Sequence, residues 1–260
     1  LSLFSIKFPE NFFFLEIGLR DEEIQFKNQH NGLTPYSFSL INEFRIDDLH
    51  NKLSNNILQK LKIDKDQEFV CLHVRDGEYK KDYDRRSQRN SNIENYYELI
   101  NYLNKKNIIV FRMGLKVKKK IEIHNKNIID LPFLNINHDY FNLYLIKNCK
   151  FFIGTQSGMQ QLAFLFNKDC LMTNVHRIFE DPPLTLRSRT ITKIPYFKDK
   201  KNIKDLKKYL DLPYSYHHEF FINNELEYME NSEEDLYLAA QEFFELINIK
   251  NDSSIVFAEN

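Results

Sequence analysis

Residues 69–79 read Phe-Val-Cys-Leu-His-Val-Arg-Asp-Gly-Glu-Tyr. The first four are apolar and suit a strand buried on both faces. The stretch then turns polar at His73, Arg75 and Asp76, with Val74 between the first two. Side chains alternate along a strand, so His73 and Arg75 share one face while Leu72 and Val74 take the other. An imidazole beside a guanidinium suits a phosphate group, with Arg75 as a two-pronged clamp and His73 as a third donor. A satisfied core histidine and an arginine paired with a structural acid would leave the same letters.

Working outward, Glu68–Arg75 is expected as the first strand and 76–90 as a long polar loop. The run Ser91-Asn92-Ile93-Glu94 has the spacing of a capping box. It opens a helix with Ile93, Tyr96, Tyr97, Ile100 and Leu103 inward. Asn107–Arg112 and Asn127–Leu131 read as further strands, and Asp139–Asn148 as a helix. Cys149–Gly154 is a fourth strand, Ser157–Phe166 a helix and Cys170–Thr173 a fifth strand. Upstream, Asp47–Leu61 reads as a helix with Leu49, Leu53, Ile57 and Leu58 on one face. Downstream, Pro182, Pro183, Pro195 and Pro213 mark 180–215 as loop. Ile222 starts a short strand. Asn231-Ser232-Glu233-Glu234 caps a last helix with Leu236, Ala239, Ala240, Phe243 and Ile247 as its apolar stripe.

Strands alternating with helices predict an α/β fold, a Rossmann-like parallel sheet with helices on both faces. The domain reading is an N-terminal segment over 1–59, a Rossmann-like domain over 60–250 and a flexible tail over 251–260. The chain begins at Leu1, which suggests that an N-terminal domain is reduced or missing.

Composition narrows the classes. The 260 residues are 42% hydrophobic, with 36 basic and 37 acidic side chains and a formal charge of -1. That balance gives no footprint for nucleic acid. Three scattered cysteines, Cys71, Cys149 and Cys170, make no CxxC and suit a reducing compartment. No run of 18 apolar residues occurs, so no spanning helix is expected. The apolar start lacks a basic region and a cleavage site, which argues against a signal peptide. A cytoplasmic protein, peripheral at the inner membrane, fits these features, and a homodimer is compatible with them.

Ligands of open parallel sheets sit beyond the carboxyl ends of the strands. Besides His73 and Arg75, two such ends carry unusual residues. Gly154-Thr155-Gln156-Ser157-Gly158 joins a buried strand to a helix start, where backbone N–H groups and the helix dipole favour an anion. Plain N-capping by Thr155 or Ser157 explains it too. Arg112-Met113-Gly114 ends the second strand, where Arg112 is either a ligand group or a solvated strand end. The long loop adds Tyr79, Arg89, Asn90, Ser91, Asn95 and Tyr96 as substrate contacts. Metal signals are weak: Asp82 and Asp84 form a DxD in a charged loop, and His217-His218-Glu219 has no helical ligand spacing. No metal or cofactor is expected.

Five stretches taken together resemble a family of bacterial glycosyltransferases from surface-polysaccharide loci. They are VCLHVRDGEY (70–79), RNSNIENY (89–96), VFRMG (110–114), CKFFIGTQSGMQQLAFLF (149–166) and ELEYMENSEEDL (225–236). The likeness spans roughly residues 60–250. More distantly, the HxR strand end and the later Ser-containing turn are similar to the fucosyltransferase superfamily. The resemblance implies the C-terminal, nucleotide-sugar-binding half of a GT-B fold and metal-independent, inverting transfer. A fucose-like sugar would pass from a nucleoside-diphosphate donor, GDP-linked by preference, to a glycan or lipid-linked acceptor. It gives His73 and Arg75 the diphosphate, and Thr155, Ser157 and Gly158 the anion-binding turn. The second arginine of the fucosyltransferase HxRRxD pattern is absent, and Asp76 stands there. Asp76 is the candidate catalytic base, with a salt bridge to Arg75 or Arg89 as its competing role. Two other readings remain open: a non-catalytic nucleotide- or glycan-binding domain, and a metal-dependent transferase using Asp82 and Asp84.

Overall fold

The computed structural model describes residues 46–64, 66–79, 87–136, 138–176, 185, 187–197 and 226–249. The chain divides into two compact units, and every described residue belongs to one of them, Phe44–Lys204 with Leu226–Asn260. The expectations for the N-terminal stretch before residue 46, Asp82, Asp84, His217-His218-Glu219, Ile222 and the tail lie outside the described residues.

The strands are β1 Phe69–His73, β2 Ile109–Arg112, β3 Ile128–Asp130, β4 Phe152–Gly154, β5 Cys170–Val175 and β6 Arg189–Thr192. A short ribbon adds β7 Ile194–Phe197 and β8 Leu226–Met229. The helices are α1 Asp48–Lys60, α2 Tyr97–Lys105, α3 Asp139–Asn148, α4 Gly158–Leu165 and α5 Glu233–Asn248. The main sheet runs β3-β2-β1-β4-β5-β6 with every neighbouring pair parallel. This is the expected α/β, Rossmann-like architecture. Strand order reverses between β1 and β4, the switch point of a doubly wound sheet.

The period-2 pattern of β1 decides how the two faces are filled. Phe69 and Cys71 enter one core with Ile57 and Leu58 of α1, Phe141 and Leu145 of α3, and Ala163 and Phe164 of α4. Val70 and Leu72 enter the other with Leu99, Ile100 and Leu103 of α2 and Leu236, Ala240 and Phe243 of α5. Each fully buried Leu or Phe contributes about 1.5–3 kcal/mol of transfer free energy, so a strand buried on both faces anchors both layers. The three cysteines are free thiols buried in this interior.

Local chemistry fixes the helix starts. Asp47 caps α1, and Ser157 and Ser232 each form a reciprocal capping box, with Gln160 and Asp235 respectively. The expected box at Ser91 and Glu94 does not form. The Ser91 N–H donates instead to the Arg75 carbonyl at 2.8 Å, and Asn92 caps a 3-10 turn over Ile93–Tyr96 that leads into α2. The Glu94 carboxylate binds Asn92 Nδ2 and Lys119 Nζ, each at 2.9 Å, rather than the cap backbone.

Three further expectations are corrected. Leu49 and Leu53 of α1 face outward, 63% and 37% exposed, leaving Ile57 and Leu58 to pack. Strand β4 starts at Phe152, because Cys149 ends α3 and its N–H still bonds the Leu145 carbonyl at 2.8 Å. Residues 180–215 are not all loop: β6 extends the parallel sheet and β7 pairs antiparallel with β8. The short alternation Arg-Thr-Ile-Thr and the proline at 195 hide these strands, although a two-stranded ribbon tolerates proline because each strand has an open edge. Among the described residues no helix is long and apolar enough to cross a membrane.

Candidate functional site

At the switch point, β1 and β4 approach so closely that only glycine fits. Gly154 pairs with His73, and a Cβ on Gly154 would lie 2.4 Å from the His73 carbonyl oxygen. The next residue continues the contact: the Thr155 N–H donates to that carbonyl at 3.0 Å. The Thr155 hydroxyl oxygen, fully buried, accepts the Arg75 N–H at 3.1 Å. The two strand ends are thereby tied together, with the His73 and Ser157 side chains meeting just beyond. Gly154→Ala is expected to destabilise the fold by about 3 kcal/mol, since strand backbones cannot yield as side chains can. Thermal melting checks the value, and an unchanged midpoint would contradict the close approach.

His73 Nδ1 lies 3.0 Å from Ser157 Oγ. Ser157 Oγ already accepts the Gln160 N–H at 3.4 Å as the cap of α4. The pair is hydrogen-bonded, and the tautomer of His73 sets which of the two atoms donates. Burial, then the Arg112 cation, pushes the His73 pKa down to about 4; Asp76 pulls it up and Arg75 pushes it down again. At neutral pH His73 is uncharged, so positive charge here comes from Arg75 and the start of α4. Gly158, the first residue of α4, faces open space, and a Cβ there would meet nothing within 4 Å.

Arg75 is oriented by Asn90. Its Nη1 donates to Asn90 Oδ1. Gly77, at φ 82°, makes room for the Asn90 amide, since a Cβ there would sit 2.7 Å from Asn90 Nδ2. The Asn90 carbonyl in turn accepts Lys193 Nζ at 2.5 Å. The Lys193 side chain is 3% exposed, with Glu230 at 3.9 Å. Burial pushes its pKa down to about 8, against the pull of Glu230. Glu230 accepts the Asn92 N–H at 2.9 Å and Asn95 Nδ2 at 3.5 Å.

Behind the cations lies a buried polar network. Asn174 and Asn231 exchange backbone-to-side-chain hydrogen bonds at 2.7 and 2.8 Å. Asn174 holds φ 53° to do so, a left-handed conformation that asparagine tolerates. Asn174 Nδ2 donates to the Tyr96 hydroxyl at 3.1 Å, and Thr173 Oγ1 lies 2.7 Å from the same oxygen. Burial pushes the Tyr96 phenol up to about 12.

Sequence reasoning named His73, Arg75, Asn90, Thr155 and Ser157, and these share one cluster. Asn95 reaches it through Glu230. Tyr96 is completely buried in the network and Ser91 is buried beside the strand end. Tyr79 is 59% exposed and Arg89 half-buried. Arg112, expected as a donor-binding group, is 0% exposed. Its Nη1 donates to the Lys119 carbonyl at 2.6 Å and pairs with Asp130 at 3.4 Å. Gly114 serves the backbone: at φ 136° it turns the chain after β2. Asp76 uses both oxygens on backbone donors, Glu78 N–H at 3.1 Å and Lys118 N–H at 2.6 Å. These bonds tie the loop after β1 to the loop after β2, instead of the ion pair with Arg75 or Arg89 weighed in the sequence.

Lys193, Glu230, Asn174 and Asn231 were not anticipated as members of the site. Lys193 is one of 36 basic residues with no local pattern around it. Only the β6 extension, itself hidden, brings it to this edge. Among the described residues no three His, Cys, Asp or Glu side chains come together in a way that could hold a metal ion. A cleft of about 530 Å³ lined by Leu58, Asp64, Glu68 and Tyr144 opens near the amino end of β1, away from the switch point.

No protein-family profile matches the chain, and no curated protein matches it. Two solved structures are similar in fold. One is the E. coli ADP-heptose LPS heptosyltransferase II, 12% identical over 58% of this chain, TM-score 0.41. The other is the dodecameric iron-containing heptosyltransferase TibC in complex with ADP-D-beta-D-heptose, 11% identical over 69% of this chain, TM-score 0.33. The chain spans 45% of the length of each. At these values neither likeness bears on the activity or on individual site residues.

Proposed function

We propose that the chain binds a nucleoside-diphosphate sugar at the β1/β4 switch point and serves as the donor-binding half of a GT-B-type glycosyltransferase. The observation that carries this reading is the meeting of Arg75, neutral His73 and the Ser157-capped start of α4 at one strand edge. A diphosphate needs cationic and N–H donors and a helix start, without a competing carboxylate. In the proposed reaction the bond between the anomeric carbon and the diphosphate breaks, and negative charge builds on the departing phosphate oxygen. Arg75, the neutral His73 imidazole and the first N–H groups of α4 would stabilise that charge. The sugar carbon bonds to an acceptor hydroxyl, whose proton passes to a base. The sugar, fucose-like in the sequence reading, the GDP preference, the glycan or lipid-linked acceptor and the inverting, metal-independent course remain parts of this proposal.

One observation favours a second reading. Asp76, the candidate base, has both carboxylate oxygens on backbone N–H groups. A nucleotide-binding domain that performs no transfer by itself accounts for a site rich in donors whose candidate base is engaged by backbone N–H groups.

A thermal-shift panel of GDP, UDP, CDP, ADP and their sugars tests the proposal. A ligand at 100 times its dissociation constant stabilises by about 2.7 kcal/mol, enough to raise the midpoint by several degrees. One base is expected to act, with the diphosphate and its sugar both effective. A flat panel would overturn the donor-site reading. Binding with no transfer to any acceptor would select the second reading.

A further inference from the structure

Buried lysines seldom sit idle in a polar cluster, and Lys193 is joined to the anion site through one residue. Its ammonium donates to the Asn90 carbonyl at 2.5 Å, while the Asn90 side chain accepts from the Arg75 guanidinium. The next residues of that loop are fixed from both sides. The Ser91 N–H is held by the Arg75 carbonyl at 2.8 Å and the Asn92 N–H by Glu230 at 2.9 Å. Lys193 itself is held in register, its own N–H bonding the Val175 carbonyl at 2.9 Å as β6 leaves the sheet.

We propose that Lys193 is a positioning residue: through the Asn90 carbonyl it locks the loop that aims Arg75 at the switch point. The inference deepens the donor-site reading and rests on it for the identity of the anion, but the lock on Arg75 is a property of the chain alone. Glu230 is the charged group facing the ammonium among the described residues, and Arg75 lies across Asn90. An ammonium is a strong donor to a carbonyl, and a neutral amine is a weak one. Burial lowers the Lys193 pKa to about 8, so the lock holds below that pH and loosens above it. Arginine at this position stays charged throughout.

Two readouts test the lock. The first is amide exchange of the 88–95 segment without ligand, normalised for the intrinsic pH dependence of exchange. Lys193→Met is expected to lose protection at Ser91 and Asn92 at pH 7, and Lys193→Arg to keep it at both pH 7 and pH 9. Wild type should be protected at pH 7 and lose several-fold at pH 9. The second is binding of inorganic pyrophosphate, taken as the ratio of affinities of Lys193→Arg to wild type, so that titration of the ligand cancels. The ratio is expected to rise about three- to tenfold from pH 7 to pH 9, as the protonated fraction of Lys193 falls. A purely structural role would give no pH dependence to that ratio. The lock is overturned if Lys193→Met keeps Ser91 protected, or if Lys193→Arg loses protection at pH 9 as wild type does. If Lys193→Met does not fold, the comparison of Lys193→Arg with wild type at the two pH values decides alone. Exchange results as expected, with no pyrophosphate binding by any variant, would uphold the lock and refute the donor-site reading.

Discussion

Replacing Arg75 by alanine is expected to weaken binding of the nucleoside diphosphate by about 10- to 150-fold, with the fold retained. Hydrogen bonds to charged groups are worth roughly 1.5–3 kcal/mol each, and that range gives the factor. The backbone ties at this position survive the substitution, because the Arg75 N–H to Thr155 and its carbonyl to Ser91 do not involve the side chain. The guanidinium's bond to Asn90 is lost, so a small decrease in melting temperature is expected as well. Calorimetric titration of wild type and variant with the nucleotide chosen by the thermal panel measures the effect. An Arg75→Ala variant with undiminished affinity would remove Arg75 from the diphosphate. Arg75→Lys should recover part of the affinity, since the charge returns without the two-pronged geometry.

The largest effect on stability is expected at Asp130. Asp130 is 8% exposed and Arg112 is 0% exposed, and the carboxylate lies 3.4 Å from Arg112 Nη1. The same carboxylate accepts the Ile121 N–H at 2.9 Å. Asp130→Ala strands a guanidinium in the interior and leaves a backbone donor without its acceptor. The expected cost is about 3–5 kcal/mol. The ion pair itself is a different matter. Removing both charges together, as Arg112→Met with Asp130→Leu, should cost less than Asp130→Ala alone, because no charge is left stranded, although the Ile121 N–H and the Lys119 carbonyl still lose their partners. Denaturant melts of the two single variants and the double variant form a cycle that measures the coupling. A double variant as unstable as Asp130→Ala would mean that the stranded guanidinium is not what makes Asp130→Ala costly. This cycle also speaks to function: if Arg112 is purely internal, the double variant keeps its affinity for nucleotide.

Much of the architecture is legible in the sequence, for a physical reason. A strand buried on both faces must be apolar throughout, so FVCL, IVF and CLM announce themselves, and helices between them carry their stripes. The site is legible only in part. His73, Arg75 and the Thr155–Gly158 turn are visible because they end such strands, and strand ends in a parallel sheet share an edge. Arg112 ends a strand too, yet its partner Asp130 ends the adjacent one, and that pairing depends on sheet order, which no local pattern encodes. Ser91 and Glu94 have capping-box spacing, but the Ser91 N–H belongs to the Arg75 carbonyl. A long-range bond there overrides a local motif worth about 1 kcal/mol. Lys193 and Glu230 sit at the ends of strands only four residues long, too short for a periodic pattern to mark them.

The clamp on the Asn90 loop has a consequence for the order of assembly. Asn92 and Glu230 are 138 residues apart, and Asn90 and Lys193 are 103 apart. The first three strands can pair as soon as they leave the ribosome, but closure of contacts that distant in the chain comes late. A nascent chain carrying His73, Arg75 and the α4 turn thus holds the proposed donor edge with its arginine still unaimed. On the proposed function, binding competence is expected to arrive with the segment around Glu230, just before α5. The nucleotide is expected to bind the finished protein and not its intermediates, so that added ligand would slow unfolding without hastening folding.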